Sequence, residues 1–145
     1  MSNSADIVRA LADSFNAREW DNARKYLSDD LEFVDLAMGH TTHGPDEFLA
    51  YAQGWAGAFS DMQLEVRSAI GDDNHAAGEF VGRGTHDGPL PSPDGQMIAA
   101  TGRSMEEPFT WFCDVSGGKL TSVRDYYNPM SIMSQLGLMP EPTEA

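Results

Sequence analysis

The sequence predicts a single α+β domain, in which a curved antiparallel sheet wraps around three N-terminal helices and leaves an internal pocket. Apolar residues recur mainly at helical spacing up to residue 59, whereas side chains alternate at strand spacing from residue 62 onward. Helices gathered before a run of hairpin-joined strands are typical of this class. The length of 145 residues suits one domain with its own hydrophobic core.

Three helices are predicted in the first half of the chain. The first begins at Ser4, whose hydroxyl can cap a helix, and a short second helix follows the polar residues 16–19. The third begins at Pro45, because proline is favoured in a first helical turn and two acidic residues come after it. The apolar faces carry, in chain order, Ile7, Val8, Leu11, Ala12 and Phe15, then Trp20, Ala23 and Leu27, then Phe48, Ala52, Trp55 and Phe59.

The strands are predicted from alternation and from the turns between them. A long strand region bends near Gly102 or Pro108, and a short helix runs from Pro129 to near Gly137. The predicted strands cover residues 31–36, 64–70, 75–85, 97–115 and the stretch after the turn at 116–118, with loops at 39–45 and 87–95. We expect one domain over residues 1–138 and a disordered tail at 139–145.

Composition excludes several classes of partner. The formal net charge is −14, and the nine basic residues are scattered, so nothing in the chain could neutralise a row of phosphates. There is no apolar run long enough to span a bilayer and no basic-then-apolar N-terminal signal. We therefore expect a soluble cytoplasmic protein that binds neither nucleic acid nor membranes. The lone Cys113 is predicted to be a buried, inert thiol.

The last strand carries the best clue to function. Side chains alternate across a strand, so Thr121, Val123, Asp125 and Tyr127 share one face, opposite the face of Leu120, Ser122, Arg124 and Tyr126. If the first face lines a concave sheet, burial raises the pKa of Asp125 into the range of a general acid or base. The alternative is a solvated aspartate, or one paired with Arg124 or Arg103.

Other candidate sites are weaker. His40 and His43 lie in a loop without a clear set of carboxylates, and His86 heads a second loop, so we predict no metal site. We expect His86 at the rim of a pocket, and Trp55 and Phe59 in both the core and a pocket wall. Neither a glycine-rich phosphate loop nor a nucleophile elbow is present, and no cofactor is predicted.

Several stretches, taken in order and spacing, resemble the SnoaL-like polyketide cyclases of the NTF2-like (cystatin-like) superfamily. The resemblance spans nearly the whole chain. Its residues are Ile7-Val8-Arg9 through Asn16, His43-Gly44-Pro45 through Phe48, Gly54-Trp55 through Ser60, residues 82–88, Gly118-Lys119, Arg124-Asp125 and Gln135-Leu136-Gly137-Leu138.

The resemblance implies a cone-shaped fold and an intramolecular aldol condensation that needs no metal or organic cofactor. The acid/base aspartate of those enzymes falls on Asp125. Their facing histidine falls on Thr110, if one extra residue is allowed in the turn at 116–118. A threonine hydroxyl can hydrogen-bond a carbonyl oxygen but supplies no titratable proton at neutral pH. The family also implies a homodimer or homotetramer packed through the outer sheet face, where Tyr126 lies, with Trp111 if Thr110 faces inward.

Ketosteroid isomerases share the superfamily, and their general base falls near Asp35. The two oxyanion donors of those enzymes fall on Leu11 and Thr110, so an isomerase of that type is not expected. Asp35 is either a second pocket carboxylate or a strand-end aspartate bonded to loop amides. The predicted site thus has Asp125 and Asp35 as catalytic candidates. The residues expected to bind substrate are Thr110, Trp55, Phe59, Phe33, Tyr127, Val123 and His86.

These features predict an acid/base enzyme of secondary metabolism that acts on a polyketide-like or other apolar carbonyl substrate. A non-catalytic ligand-binding or accessory protein is the alternative, in which Asp125 orients a polar group of the ligand. Proteins of the same shape also act as hydroxylases, isomerases and epoxide hydrolases, so the fold does not choose among these reactions.

Overall fold

A computed structural model of the protein describes residues 4–92 and 95–139. Apart from residue 139, the predicted tail lies outside the described residues. The helices are α1 (Ser4–Ala17), α2 (Trp20–Arg24), α3 (Gly44–Ala58) and α4 (Pro129–Gln135). The strands are β1 (Leu27–Asp35), β2 (His40–His43), β3 (Gln63–Gly71), β4 (His75–Thr85), β5 (Leu90–Pro91), β6 (Met97–Ile98), β7 (Ser104–Ser116) and β8 (Lys119–Tyr126).

Six strands form one sheet in the order β2-β1-β8-β7-β4-β3, which confirms the predicted α+β class. All neighbouring pairs are antiparallel except β1 and β8, which run parallel. The sheet is curved and does not close on itself. Strands β5 and β6 form a separate small hairpin within the predicted loop.

The helices cover one face of this sheet. The apolar stripe of α1 packs on β3 and β4, and α3 packs on β1. The start of α3 follows from local chemistry, since Gly44 adopts a positive φ of 83° and Pro45 occupies the first turn. The Glu47 side chain accepts a hydrogen bond from the backbone N–H of His43, the N-cap residue, at 3.0 Å. The Ser4 hydroxyl, predicted to cap α1, donates to the Asp72 carbonyl oxygen and so ties α1 to the turn between β3 and β4.

A β-bulge changes the register of β8 against β7. Next to the turn, Ser116 pairs with Lys119 and Val115 with Leu120, but Asp114 already pairs with Ser122. Thr121 is therefore the extra residue. The prediction that Leu120 faces outward is wrong, because the bulge rotates its side chain into the core, where it is fully buried.

The same bulge corrects the position of Thr110. The register of the turn would place Thr110 opposite Asp125, but beyond the bulge the partner of Asp125 is Trp111. Thr110 consequently lies on the outer face and is exposed, so its predicted place in the pocket is wrong. Trp111 faces the helices and not the outside of the sheet.

Smaller differences from the predicted elements concern the loops. Residues 39–45 include strand β2, which pairs with β1. The predicted strand over residues 97–115 is interrupted at residues 99–103, where Gly102 has a φ of 72°, and does not simply bend there. No helix within residues 4–92 and 95–139 has the length and apolar character needed to cross a membrane.

Candidate active site

A cavity of about 130 Å³ lies between the inner face of the sheet and the helices. Its wall is mostly apolar and aromatic, with the carboxyl groups of Glu107 and Asp125 and the hydroxyl groups of Tyr51 and Tyr127. The other lining residues are Leu11, Phe15, Trp20, Ala23, Phe33, Phe48, Leu49, Ala52, Trp55, Met62, Leu64, Gly82, Met105, Phe109, Trp111 and Ile132. Such a wall suits a small organic ligand.

Asp125 lies in this wall near the end of β8. Its exposed fraction is 8 %, and burial raises its pKa well above the ordinary value. The negative charge of Asp35 raises the pKa further, and the Trp111 N–H opposes the shift. No lysine or arginine of the described chain forms an ion pair with Asp125. Arg124 instead pairs with Asp114 at 3.5 Å on the outer face.

Asp35 lies beside Asp125 in the neighbouring strand, because the two residues are paired in the parallel register of β1 and β8. The Tyr51 and Tyr127 hydroxyls both donate to Asp35 Oδ2, at 2.6 and 2.7 Å. The Met38 backbone N–H donates to Oδ1 at 2.9 Å. Asp35 is completely buried behind the two tyrosines and does not line the cavity.

The two tyrosines remain hydrogen-bond donors. Burial raises the pKa of Tyr51, and its hydrogen bond to Asp35 raises it further. Burial also raises the pKa of Tyr127, followed by the charge of Asp35. Three donors thus surround Asp35 and suit a carboxylate anion. At Asp125, in contrast, burial raises the pKa well above the ordinary value.

Asp125 Oδ1 and Trp111 Nε1 are buried, and neither atom has a hydrogen-bond partner among the described residues. The indole N–H is close enough to affect the pKa of Asp125, although the two groups do not form a hydrogen bond of normal geometry. Both residues line the cavity. Buried polar atoms are nearly always satisfied, so this donor and this acceptor are available to a ligand.

Glu107 is a second carboxyl group of the cavity wall, on β7, with an exposed fraction of 5 %. The Asn128 backbone N–H donates to its Oε2 and the Gln135 side-chain amide to its Oε1, both at 3.4 Å. These two contacts join β7 to the beginning and the end of α4. Sequence reasoning did not single out Glu107.

The structure brings some of the predicted binding residues together and separates others. Phe33, Trp55 and Tyr127 line the cavity, whereas Val123 and Phe59 are fully buried outside its lining. The predicted binding roles of these residues stay predictions. Neither the burial nor the position of these side chains tests whether they bind a substrate.

The expectation that His86 lies at a pocket rim is wrong. His86 is completely buried, and its ring lies 5.2 Å from that of Phe59. Its Nδ1 accepts a hydrogen bond from the Thr101 backbone N–H at 3.2 Å, and the Thr101 hydroxyl lies 3.0 Å from the same atom. This histidine therefore joins residues 99–103, which interrupt the predicted strand, to the core.

Two residues of the cavity wall were not predicted as site residues, although the sequence pattern indicates the position of each. Tyr51 lies three residues after Phe48 and four before Trp55, which places it on the same helix face. Trp111 lies two residues before Cys113, which was expected to be buried, so alternation alone puts Trp111 inside. Extending the same alternation by four more residues reaches Glu107.

Within residues 4–92 and 95–139, no three His, Cys, Asp or Glu side chains are grouped so that they could hold a metal ion. Burial raises the pKa of the Cys113 thiol to about 12, as expected for an inert cysteine.

Solved structures with the same fold come from several bacteria. AclR, a candidate hydroxylase from Streptomyces galilaeus, is 19% identical with a TM-score of 0.78, covering 94% of this chain and 97% of its own. IdmH, a candidate polyketide cyclase from Streptomyces antibioticus, is 20% identical with a TM-score of 0.78, covering 94% and 99%. A protein with a ketosteroid isomerase-like fold from Catenulispora acidiphila is 22% identical with a TM-score of 0.75, covering 95% and 97%.

These identities are low, so the three structures are evidence for the fold alone. A search of curated proteins found no match. The family model of the SnoaL-like polyketide cyclases matches residues 5–136, which is nearly the whole chain. The chain therefore belongs to the SnoaL-like polyketide cyclase family, as its sequence motifs predict.

Proposed function

We propose that this protein is an acid/base enzyme that transfers a proton at the carbon next to a carbonyl group, on an apolar, polyketide-like substrate. One observation carries the proposal: the Asp125 carboxyl lies in the aromatic cavity without an ion-pair partner and beside a second carboxylate. A carboxylate in such surroundings is a stronger base than one in water, because burial disfavours its anion. Family membership supports a role in catalysis at this level.

In a ring-closing reaction of the aldol type, ionised Asp125 removes a proton from the carbon next to one carbonyl group. The resulting enolate carbon then forms a bond to the carbon of a second carbonyl group. The new alkoxide oxygen takes the proton back from Asp125, so no proton is gained or lost overall. The unpartnered Trp111 N–H is suited to donate a hydrogen bond to one of these oxygens.

Asp35 was predicted as a second catalytic candidate, and we propose a positioning role for it. Its Oδ2 already accepts two tyrosine hydroxyls, so this atom has little capacity left to remove a substrate proton. Its charge raises the pKa of Asp125 and so strengthens that base. We therefore assign proton transfer to Asp125 and the adjustment of its basicity to Asp35.

The test uses 1-tetralone, a small aryl ketone with acidic protons at C2. Exchange of these protons for deuterium in D₂O, followed by NMR, should be accelerated by the protein. The rate should rise with pH through the raised pKa of Asp125, because only the ionised form accepts a proton. Asp125→Asn should lower the acceleration by about 10²–10⁴, the usual contribution of a general base.

Asp114→Asn is the matched control for this experiment. Asp114 lies on the neighbouring strand outside the cavity, in an ion pair with Arg124, so its loss should leave the exchange rate unchanged. Exchange by the Asp125→Asn variant within a few-fold of the original protein would contradict the proposal and make Asp35 the next residue to test.

A ligand-binding or accessory protein remains the second candidate, favoured by one observation. The residue opposite Asp125 is Trp111, whose indole can donate a hydrogen bond but cannot supply a titratable proton. In that case 1-tetralone would bind without any acceleration of exchange. Tight binding without exchange would assign Asp125 to the orientation of a ligand.

Self-association through the outer face of β7 and β8 is part of the proposal. Phe112 and Tyr126 lie exposed on this face, at 41 % and 47 %. Exposed aromatic side chains on a sheet face are typical of contacts between subunits. Light scattering at high micromolar concentration should detect a dimer or tetramer, and a monomer there would contradict this part.

A further inference from the structure

We propose that Glu107 forms a second polar subsite of the cavity, which binds an O–H or N–H donor of the ligand at a distance from the carbonyl group. The inference deepens the proposed function, since it uses the same cavity and names a feature of its substrate. It assigns to the ligand an elongated shape with a carbonyl oxygen near Asp125 and a hydrogen-bond donor at the other end.

The separation of the two subsites follows from the strand. Glu107 and Trp111 lie four residues apart on the inward face of β7, which corresponds to about 13 Å along the strand. Trp111 is paired directly with Asp125. Phe109 lies between Glu107 and Trp111 on the same face and lines the cavity. The two carboxyl groups are thus separated by an aromatic surface, which suits a flat ring system.

The hydrogen bonding of Glu107 leaves room for a ligand. Its two partners, the Asn128 N–H and the Gln135 amide, are both neutral donors at 3.4 Å. Charge-assisted hydrogen bonds are usually about 2.7–2.9 Å long. The Gln135 amide also donates to the Ser131 hydroxyl at 3.2 Å, so it is shared between two acceptors. A carboxylate with about four acceptor positions therefore retains unused capacity.

Because Glu107 is buried, its unused acceptor positions cannot be filled by bulk water. The side chain is 5 % exposed, and no lysine, arginine or histidine of the described chain forms an ion pair with it. Removing a carboxylate from water without strong hydrogen bonds is unfavourable. A donor group arriving from the cavity would replace the lost water, whereas a purely apolar ligand would leave the carboxylate unsatisfied.

The alternative is that Glu107 merely ties α4 to β7. Both functions can be separated with Glu107→Gln, because the amide keeps the shape of the side chain and one acceptor oxygen while it loses the negative charge. The matched control is Glu106→Gln, the adjacent residue, which faces outward and pairs with Arg83 at 3.1 Å.

The experiment measures the binding of 1-tetralone and 6-hydroxy-1-tetralone by quenching of tryptophan fluorescence. The hydroxylated ketone should bind at least about tenfold more tightly to the original protein, as expected for a hydrogen bond to a charged acceptor. In Glu107→Gln this preference should fall below about threefold, because the hydroxylated ketone binds more weakly while 1-tetralone binds at least as tightly as before. Glu106→Gln should keep the full preference.

Equal affinities of the two ketones for the original protein, or no measurable binding of the hydroxylated one, would overturn the inference. An equal loss of affinity for both ketones in Glu107→Gln would also overturn it, since this is the result of a purely structural role. If that variant does not fold, the comparison of the two ketones on the original protein still decides. If the original protein does not accelerate deuterium exchange but still prefers the hydroxylated ketone, the catalytic proposal is wrong and the subsite at Glu107 stands.

Discussion

Asp35 and Asp125 hold equivalent positions on adjacent parallel strands, and their surroundings are opposite. Three hydrogen bonds from Tyr51, Tyr127 and Met38 surround the first carboxylate. The second faces the cavity, and its Oδ1 has no partner among the described residues. Burial is similar at both sites, so burial does not explain the difference. The two carboxyl groups differ in the number of hydrogen-bond donors around them.

The largest expected effect comes from removing the charge of Asp35, the buried carboxylate with three hydrogen-bond donors. Asp35→Asn replaces a carboxylate oxygen that accepts two tyrosine hydroxyls, so at least one buried hydroxyl loses a charged acceptor. We expect the free energy of unfolding to fall by about 3 kcal/mol, from the usual value of hydrogen bonds to charged groups. Urea unfolding measures this, and a loss below about 1 kcal/mol would show that the network contributes little.

The same substitution at the second carboxyl should have the opposite sign. The folded-state pKa of Asp125 is raised above its unfolded value, so between these two pKa values the native state binds more protons. Stability therefore decreases as the pH rises through this window. Asp125→Asn removes the buried ionisable group and should raise the free energy of unfolding at pH 7 by about 1 kcal/mol or more.

The comparison between pH values is the control for that prediction. At pH 4, which is close to the ordinary pKa of an aspartate in the unfolded chain, ionisation of Asp125 favours the unfolded state only slightly. The stabilisation by the Asn variant should therefore be much smaller at pH 4 than at pH 7. Urea unfolding at both pH values measures the difference. A destabilised Asn variant at pH 7 would mean that the Asp125 carboxylate has a favourable partner in the folded state.

The smallest expected effect tests the phase of β7. Thr110 is exposed on the outer face, so Thr110→Ala should change stability by less than about 0.5 kcal/mol and leave deuterium exchange unaffected. Trp111→Phe keeps most of the aromatic wall but removes the N–H beside Asp125, so exchange should slow. A strong effect of Thr110→Ala with none of Trp111→Phe would contradict the bulged register.

The sequence predicts the order of the helices and long strands, the α+β class and the pocket-facing position of Asp125, because periodicity and the apolar neighbours of Asp125 are local properties. It does not predict the short strands β2, β5 and β6. The hydrogen-bond partners of Asp35 could not be predicted from the sequence. Tyr51 is 16 residues away and Tyr127 is 92 residues away, and only the folded sheet brings the three together. The misplacement of Thr110 was avoidable, since Cys113 was already assigned to the buried face of that strand.

The bulge itself left a trace in the sequence. Leu120 and Val123 are apolar and three residues apart, which interrupts strict alternation. Placing Leu120 outward exposes a leucine beside polar neighbours, and an extra residue in the strand resolves this conflict. The structure contains that residue as Thr121.

A single extra residue, Thr121, therefore determines which side chains of β7 and β8 lie opposite each other in the cavity. Strands β7 and β8 leave the turn with one set of residues opposed and reach the cavity with another, since every pair beyond Thr121 is shifted by one. If Thr121 paired with Asp114 and no bulge formed, the register of the turn would continue and Thr110 would lie opposite Asp125, without any substitution in the cavity. The bulge at Thr121 thus determines which residue lies opposite the aspartate about 13 Å away along the strand.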